Sequence, residues 1–207
     1  MNSALEQFEQ IASDLAENGY AVVDQFLSAE EVTTLLQLEE WRSGITHFKK
    51  SGTGKQNEKR INEGIRGDYI QWIDNETTQP ALKIYLDRMR ELMQYINQSL
   101  FLSLQDFEIH FTIYPQGSFY KRHLDQFKGN DHRKLSVILY LNEDWKKEDG
   151  GQLRMHLMEG AIDFLPMAGR LICFRSDKIE HEVRPATRDR LSLTGWILDQ
   201  LSALKHL

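Results

Sequence analysis

From Asp106 to Leu198 the chain breaks into seven short runs, FEIHFTIY, SFYKRHLD, KLSVILYLN, GQLRMHL, GRLICF, HEVRP and RLSLTGWIL, separated by turn-forming residues. Several alternate apolar and polar side chains with the period of two that a strand imposes. Many short strands at close spacing fold as a sandwich or a barrel. The upstream half reads differently. Residues 3–18 place Leu5, Phe8, Ile11, Ala12 and Leu15 at helical spacing and stop at Gly19, after which YAVVDQF reads as a strand. SAEEVTTLLQLEEW opens with Ser28 three residues ahead of Glu31, a capping box, and predicts a helix to about Trp41. GDYIQWI reads as a strand. TTQPALKIYLDRMRELMQYINQSL reads as a long helix with Tyr85, Met89, Leu92, Met93 and Ile96 toward the core. The class predicted is α+β, with N-terminal helices packed on one sheet of an antiparallel β region. A chain of 207 residues without repeats or a Pro-rich linker makes one domain, about 1–105 as helical support with a mobile loop and about 106–198 as the barrel core.

Composition limits the partners. The net charge is −6, and the bases gather mainly in HFKKSGTGKQNEKR, a balance that argues against a nucleic-acid substrate. No run approaches the roughly 18 apolar residues of a membrane span. The first twenty residues carry acids and no basic region ahead of an apolar stretch, unlike a secretory signal. Cys173 is the only cysteine, so no internal disulfide forms, and a reducing cytoplasm is the expected compartment. A monomer is compatible with all of this.

GSFYKRHLDQF sets His123 and Asp125 two apart in a strand-like segment, where both would share a face. That face is either wet, with the acid orienting the imidazole, or the two groups grip a metal together. A metal needs a third ligand, and His181, just upstream of the last strand, is the best placed among the remaining histidines. On its own His181 reads equally well as a core or turn histidine. Two imidazoles and one carboxylate leave about three positions open on an octahedral ion, the arrangement of non-haem Fe(II) oxygenases, whereas a structural zinc site closes with four ligands. In RLSLTGW, Arg190 alternates with Leu191 and shares its face with Thr194. An inward guanidinium needs an anion; a surface pairing with Asp189 is the alternative.

The order His-x-Asp, a later His and an Arg nine residues on resembles the 2-oxoglutarate- and Fe(II)-dependent dioxygenases, and within them the prolyl-4-hydroxylases. The likeness is nearest to the oxygen-sensing prolyl hydroxylases of animals and their bacterial relatives. IRGDYIQWI, LYLNEDWKKEDGGQLRMH and HEVRPATRDRLSLTGW carry it, and it extends from about Tyr20 to Trp196. The resemblance implies a double-stranded β-helix of the jelly-roll, cupin-like kind. It implies His123, Asp125 and His181 as iron ligands, and Arg190 as partner of the far carboxylate of 2-oxoglutarate, aided by Tyr140 and Thr194, with Tyr114 lining the same pocket. Arg66, Asp68, Tyr120 and Trp196 match positions at the substrate. No catalytic group beyond the metal site is implied.

The activity implied is hydroxylation of a prolyl residue at its 4-position in a protein, with O2 consumed, succinate and CO2 as co-products, and ascorbate as a reductant. Family substrates include transcription and translation factors, and a translation factor is the candidate here. Residues 49–66 read as a lid that orders over a peptide. Three rivals stand beside this reading: a hydroxylase of a free amino acid or other small molecule, a nucleic-acid demethylase of the same superfamily, and a non-enzymatic cupin-like sensor binding metal or an anion through Arg184, Arg188 and Arg190.

Overall fold

The computed structural model describes residues 3–52, 64–126 and 131–202. Helix α1 spans Ala4–Asn18, opened by a Ser3–Glu6 capping box and closed by Gly19 at φ 77°. Strand β1 (Tyr20–Val23) follows. The next helix is two. Helix α2 (Ala29–Leu36) begins at the Ser28–Glu31 capping box and stops at Gln37, and α3 (Glu39–Arg42) restarts after an extended Leu38. Positions 36 and 38 fall on nearly opposite sides of a straight helix. The break lets Leu36, Leu38 and Trp41 all pack against the same core. Strands β2 (Lys49–Lys50) and β3 (Tyr69–Trp72) flank the expected lid, whose residues 53–63 lie outside the described ones. Helix α4 (Pro80–Leu100) starts with proline in its first turn, where no donor is lost. It buries Tyr85, Met89, Leu92 and Ile96 completely, with Met93 at the margin.

Eight strands complete the chain: β4 (Asp106–Tyr114), β5 (Tyr120–His123), β6 (Arg133–Tyr140), β7 (Leu153–Leu157), β8 (Gly160–Phe164), β9 (Leu171–Arg175), β10 (Glu180–Val183) and β11 (Arg190–Leu198). They form two antiparallel sheets. The larger runs β1-β9-β6-β11-β4-β3-β2, and the smaller β5-β10-β7-β8. β1, β2 and β3 therefore widen the large sheet from upstream of Asp106. No described helix is long and apolar enough to cross a membrane.

Alternation decides what each face of the large sheet meets. Phe107, Ile109, Phe111 and Ile113 of β4, Leu135, Val137 and Leu139 of β6, and Leu193 and Ile197 of β11 join α1 and α4 in one core. Ile138, Tyr140, Ile172 and Phe174 point the other way, into a second cluster with Leu153, Met155 and Val183 of the small sheet. At one end of this inner layer the apolar residues give way to polar ones. There a cavity opens.

Candidate metal and co-substrate site

The cavity, about 120 Å³, lies between the sheets. Of the eleven residues singled out from the sequence, ten line it; Tyr140 stands behind Arg190. β5 and β10 pair with His123 opposite His181, which brings residues 58 positions apart side by side. Asp125 sits just past the end of β5, in a bend, so the shared-face expectation gives way to a turn that carries the carboxylate back over the strand end. One ligand atom from each of His123, Asp125 and His181 lies within 4.8 Å of the others.

Hydrogen bonding prepares this set. The Nδ1 of His123 lies 2.7 Å from the Lys121 carbonyl, and that of His181 3.1 Å from the Ile179 carbonyl. A carbonyl only accepts, so each Nδ1 carries the proton and each Nε2 keeps its lone pair for a metal. Tyr120 stacks on the His123 ring, with centroids 3.5 Å apart and 17° between planes, and the edge of Phe174 meets His181 at 4.7 Å. Burial pushes the His181 pKa down to about 4, against the pull of Asp125, so the imidazole is neutral. Burial alone would raise the Asp125 carboxyl; His181, His123 and the Ser136 hydroxyl, 2.6 Å away, reverse that and hold it far below the usual carboxylate range. Two imidazoles and one anionic oxygen donor fit a divalent ion with open positions.

Arg190 lies on the adjoining wall, 2 % exposed. It donates to the Tyr140 hydroxyl and the Gly151 carbonyl, both at 3.0 Å, and its guanidinium carbon stands 5.1 Å from the Tyr114 ring centre. Among the described residues no carboxylate lies within ion-pair distance, and Asp189, the alternative partner, accepts from the Gln116 N–H instead. Burial raises the Tyr114 and Tyr140 phenols, so both hydroxyls stay protonated donors. Thr194 faces the same cavity, and its hydroxyl meets Ser192 at 3.1 Å rather than Arg190. The Gly150–Gly151 pair explains the close approach: both sit at positive φ, and a Cβ on Gly151 would stand 2.9 Å from Trp145 and 3.4 Å from Arg190.

The outer rim holds the remaining predicted residues. Arg66 and Asp68 bind one another through two hydrogen bonds of 2.7 and 2.5 Å, and Asp68, buried, also accepts from the Ser51 hydroxyl at 2.8 Å. Burial would raise the Asp68 carboxyl, and Arg66 and Ser51 bring it below its usual value. Arg66 also lies over the Tyr120 ring at 4.3 Å, and backbone bonds join Gly67 to Phe119 and Lys121 to Ile65. These charges hold the segment against β5 instead of projecting free. Trp196 meets His110 and Trp72 in tilted contacts at 5.7 and 6.3 Å, and Arg133 lies over its ring at 3.4 Å. The sequence reading missed His110, Thr112, Ser136 and Trp72. Parity was the available signal, since His110 and Thr112 alternate in step with Tyr114, and Ser136 with Tyr140.

Residues 109–198 match the family model described as the 2OG-Fe(II) oxygenase superfamily. The crystal structure of a Pseudomonas putida prolyl-4-hydroxylase superposes with a TM-score of 0.83 at 44 % identity, covering 94 % of this chain and all of that one. A Trichoplax adhaerens prolyl hydroxylase, solved with a hypoxia-inducible factor oxygen degradation domain peptide, superposes with the same score at 28 % identity, over 95 % and 90 % of the two chains. Human Egl nine homolog 1 is 32 % identical over 92 % of this chain, which spans 46 % of that relative. With the donor triad and the buried guanidinium on one cavity, these likenesses converge: the chain belongs to the 2OG-Fe(II) oxygenase superfamily, whose members use Fe(II), 2-oxoglutarate and O2, and its relatives there are prolyl hydroxylases.

Proposed function

We propose that the protein is a prolyl hydroxylase that modifies a proline at its 4-position within a cytoplasmic protein. His123 and His181 would hold Fe(II) through Nε2, and Asp125 through a carboxylate oxygen. Bound Fe(II) supplies the redox chemistry that couples decarboxylation of 2-oxoglutarate, giving succinate and CO2, to hydroxylation of a C–H bond, with ascorbate keeping the metal reduced. Arg190 takes the far carboxylate of 2-oxoglutarate as a charge-assisted pair, with the Tyr140 hydroxyl fixing the guanidinium plane. Tyr114 and Thr194 close the walls around the acid. Trp196, Trp72 and Tyr120 offer an aromatic surface for the prolyl ring and displace water from it. Arg66 and Asp68 position Tyr120 at the entrance.

One observation carries this reading: a buried guanidinium with only neutral partners faces the same cavity as three converging metal donors. A translation factor remains the substrate candidate. Incubating cell extract with Fe(II), 2-oxoglutarate and the protein should yield a one-oxygen mass gain on prolines of a few proteins, with succinate formed in step. Asp125→Ala should give neither. Succinate formation without any modified proline, and with a free amino acid oxidised instead, would overturn the protein-substrate reading.

A further inference from the structure

We propose that Ser136 and Ser176 form a positioning relay that confines Asp125 to a single metal-facing oxygen and so preserves the open position the co-substrates require. The inference rests on the reading of Asp125 as a metal ligand. Both serines are buried, at 1 % and 0 % exposure, beside Ile138 and Phe174. A hydroxyl in apolar surroundings is costly unless it is bonded. Here both are. The Ser136 Oγ stands 2.6 Å from Asp125 Oδ2 and 2.8 Å from the Ser176 Oγ. An ionised carboxylate only accepts, so the Ser136 proton goes to Oδ2. Ser176 must then donate to Ser136, which gives the relay one direction, Ser176 to Ser136 to Asp125.

The backbone fixes both ends. Ser176 donates its N–H to the Lys134 carbonyl at 3.1 Å and accepts from the N–H of Gln126, the residue after Asp125, at 3.2 Å. The relay thus links β6, the turn after β9 and the ligand turn itself. Both carboxylate oxygens face a ligand imidazole, Oδ1 at 3.4 Å from the His123 Nε2 and Oδ2 at 3.7 Å from the His181 Nε2, and the Ser136 hydroxyl on Oδ2 is what sets the two apart.

Counting positions shows why this matters. Two imidazoles and one carboxylate oxygen would leave three of six positions on an octahedral ion open to the co-substrates. A carboxylate binding through both oxygens would remove one of these. Without the Ser136 hydroxyl, Oδ2 becomes a buried anionic oxygen deprived of that donor, and a metal held by His123 and His181 would be a cation within its reach. Substitution of Ser136 is therefore expected to weaken the co-substrate more than the metal.

The test uses Co(II) in place of iron, with calorimetric titration of metal and then of 2-oxoglutarate in the absence of O2. Ser136→Ala should bind Co(II) about as tightly as wild type, bind 2-oxoglutarate about tenfold more weakly, and show an altered visible spectrum of the bound Co(II). Ser136→Thr, which restores the hydroxyl, should recover both, and Ser176→Ala should fall between. Unchanged 2-oxoglutarate affinity in Ser136→Ala overturns the relay. So does a loss of Co(II) and 2-oxoglutarate that tracks a fall in thermal midpoint and is not rescued by threonine. If wild type and Asp125→Ala bind Co(II) alike, the ligand reading itself fails, and the relay with it.

Discussion

Among the described residues, Arg190 is the largest side chain enclosed almost completely, and it is charged. Its partners, a phenol and a backbone carbonyl, satisfy two of its donors without neutralising it. Burying a cation this way costs several kcal/mol that an anion would return, which supports the proposed pairing of Arg190 with a carboxylate. Arg190→Lys retains the charge and loses the planar fork. It should weaken 2-oxoglutarate at least about tenfold in metal-loaded protein, measured by calorimetry; an affinity within twofold of wild type would refute the pairing. Gly151→Ala tests the same place from the backbone. At φ +68°, with its new Cβ 3.0 Å from the Ala186 Cβ and closer to Trp145, it should lower stability by about 1–3 kcal/mol in urea unfolding. Because the Gly151 carbonyl holds the Arg190 Nε, the variant should also weaken 2-oxoglutarate. Strand parity set Arg190 on one face with Thr194 but left a surface pairing with Asp189 open, and the family resemblance decided for the inward role. The carbonyl partner of Arg190 was not legible, because backbone contacts across 39 residues leave no mark in composition.

At the level of elements, β4 and β11 register Tyr114 opposite Arg190, Thr112 opposite Ser192 and His110 opposite Thr194, so one pair of strands builds much of the wall proposed to hold the co-substrate. Period-two alternation made these strands readable and pointed to Arg190 and Thr194, while His110 and Thr112, in step with Tyr114, were passed over. β8 escaped notice because its side chains are largely exposed, leaving no apolar alternation to detect. The break between α2 and α3 escaped because propensity favours a continuous helix there and tertiary packing overrides it. Asp125 was found for a partly wrong reason, since a bend rather than strand parity turns it inward. The segment carrying Arg66 and Asp68 bridges β5 of the small sheet and β3 of the large one. Asp68→Asn would leave a largely buried guanidinium without its anion, at a local cost of about 3–5 kcal/mol. Amide exchange should accelerate in residues 64–68 and in Ser51, whose N–H bonds the Asp68 carbonyl. KM for a protein substrate should rise while 2-oxoglutarate affinity holds. Unaltered exchange would show that the pair does not secure the segment.

For the molecule as a whole, two enclosed imidazoles set how stability responds to acid. Burial pushes His110 and His181 down to about 4, from an ordinary value of 6.5. Both are neutral in the fold at pH values where the unfolded chain would already take up protons. Their contribution is therefore complete above about pH 6.5 and is lost as pH falls toward about 4, with a slope of up to about 1.4 kcal/mol per pH unit for each residue. The depressed carboxyls Asp68 and Asp125 contribute little to the change above about pH 5, since their contribution is lost mainly as pH falls through the ordinary carboxylate value of 3.8. Urea unfolding of the metal-free protein between about pH 6.5 and pH 5 isolates the histidine effect. The two imidazoles are far enough apart in role to separate. His110 bonds Thr112 at 2.8 Å on the wall of β4, whereas His181 belongs to the donor triad. His110→Leu should reduce the pH slope by about one proton's worth and leave the His181 part in place, whatever it does to the midpoint at neutral pH. A slope identical to wild type would mean that His110 is not the neutral, enclosed base that its position between Trp72 and Trp196 makes it.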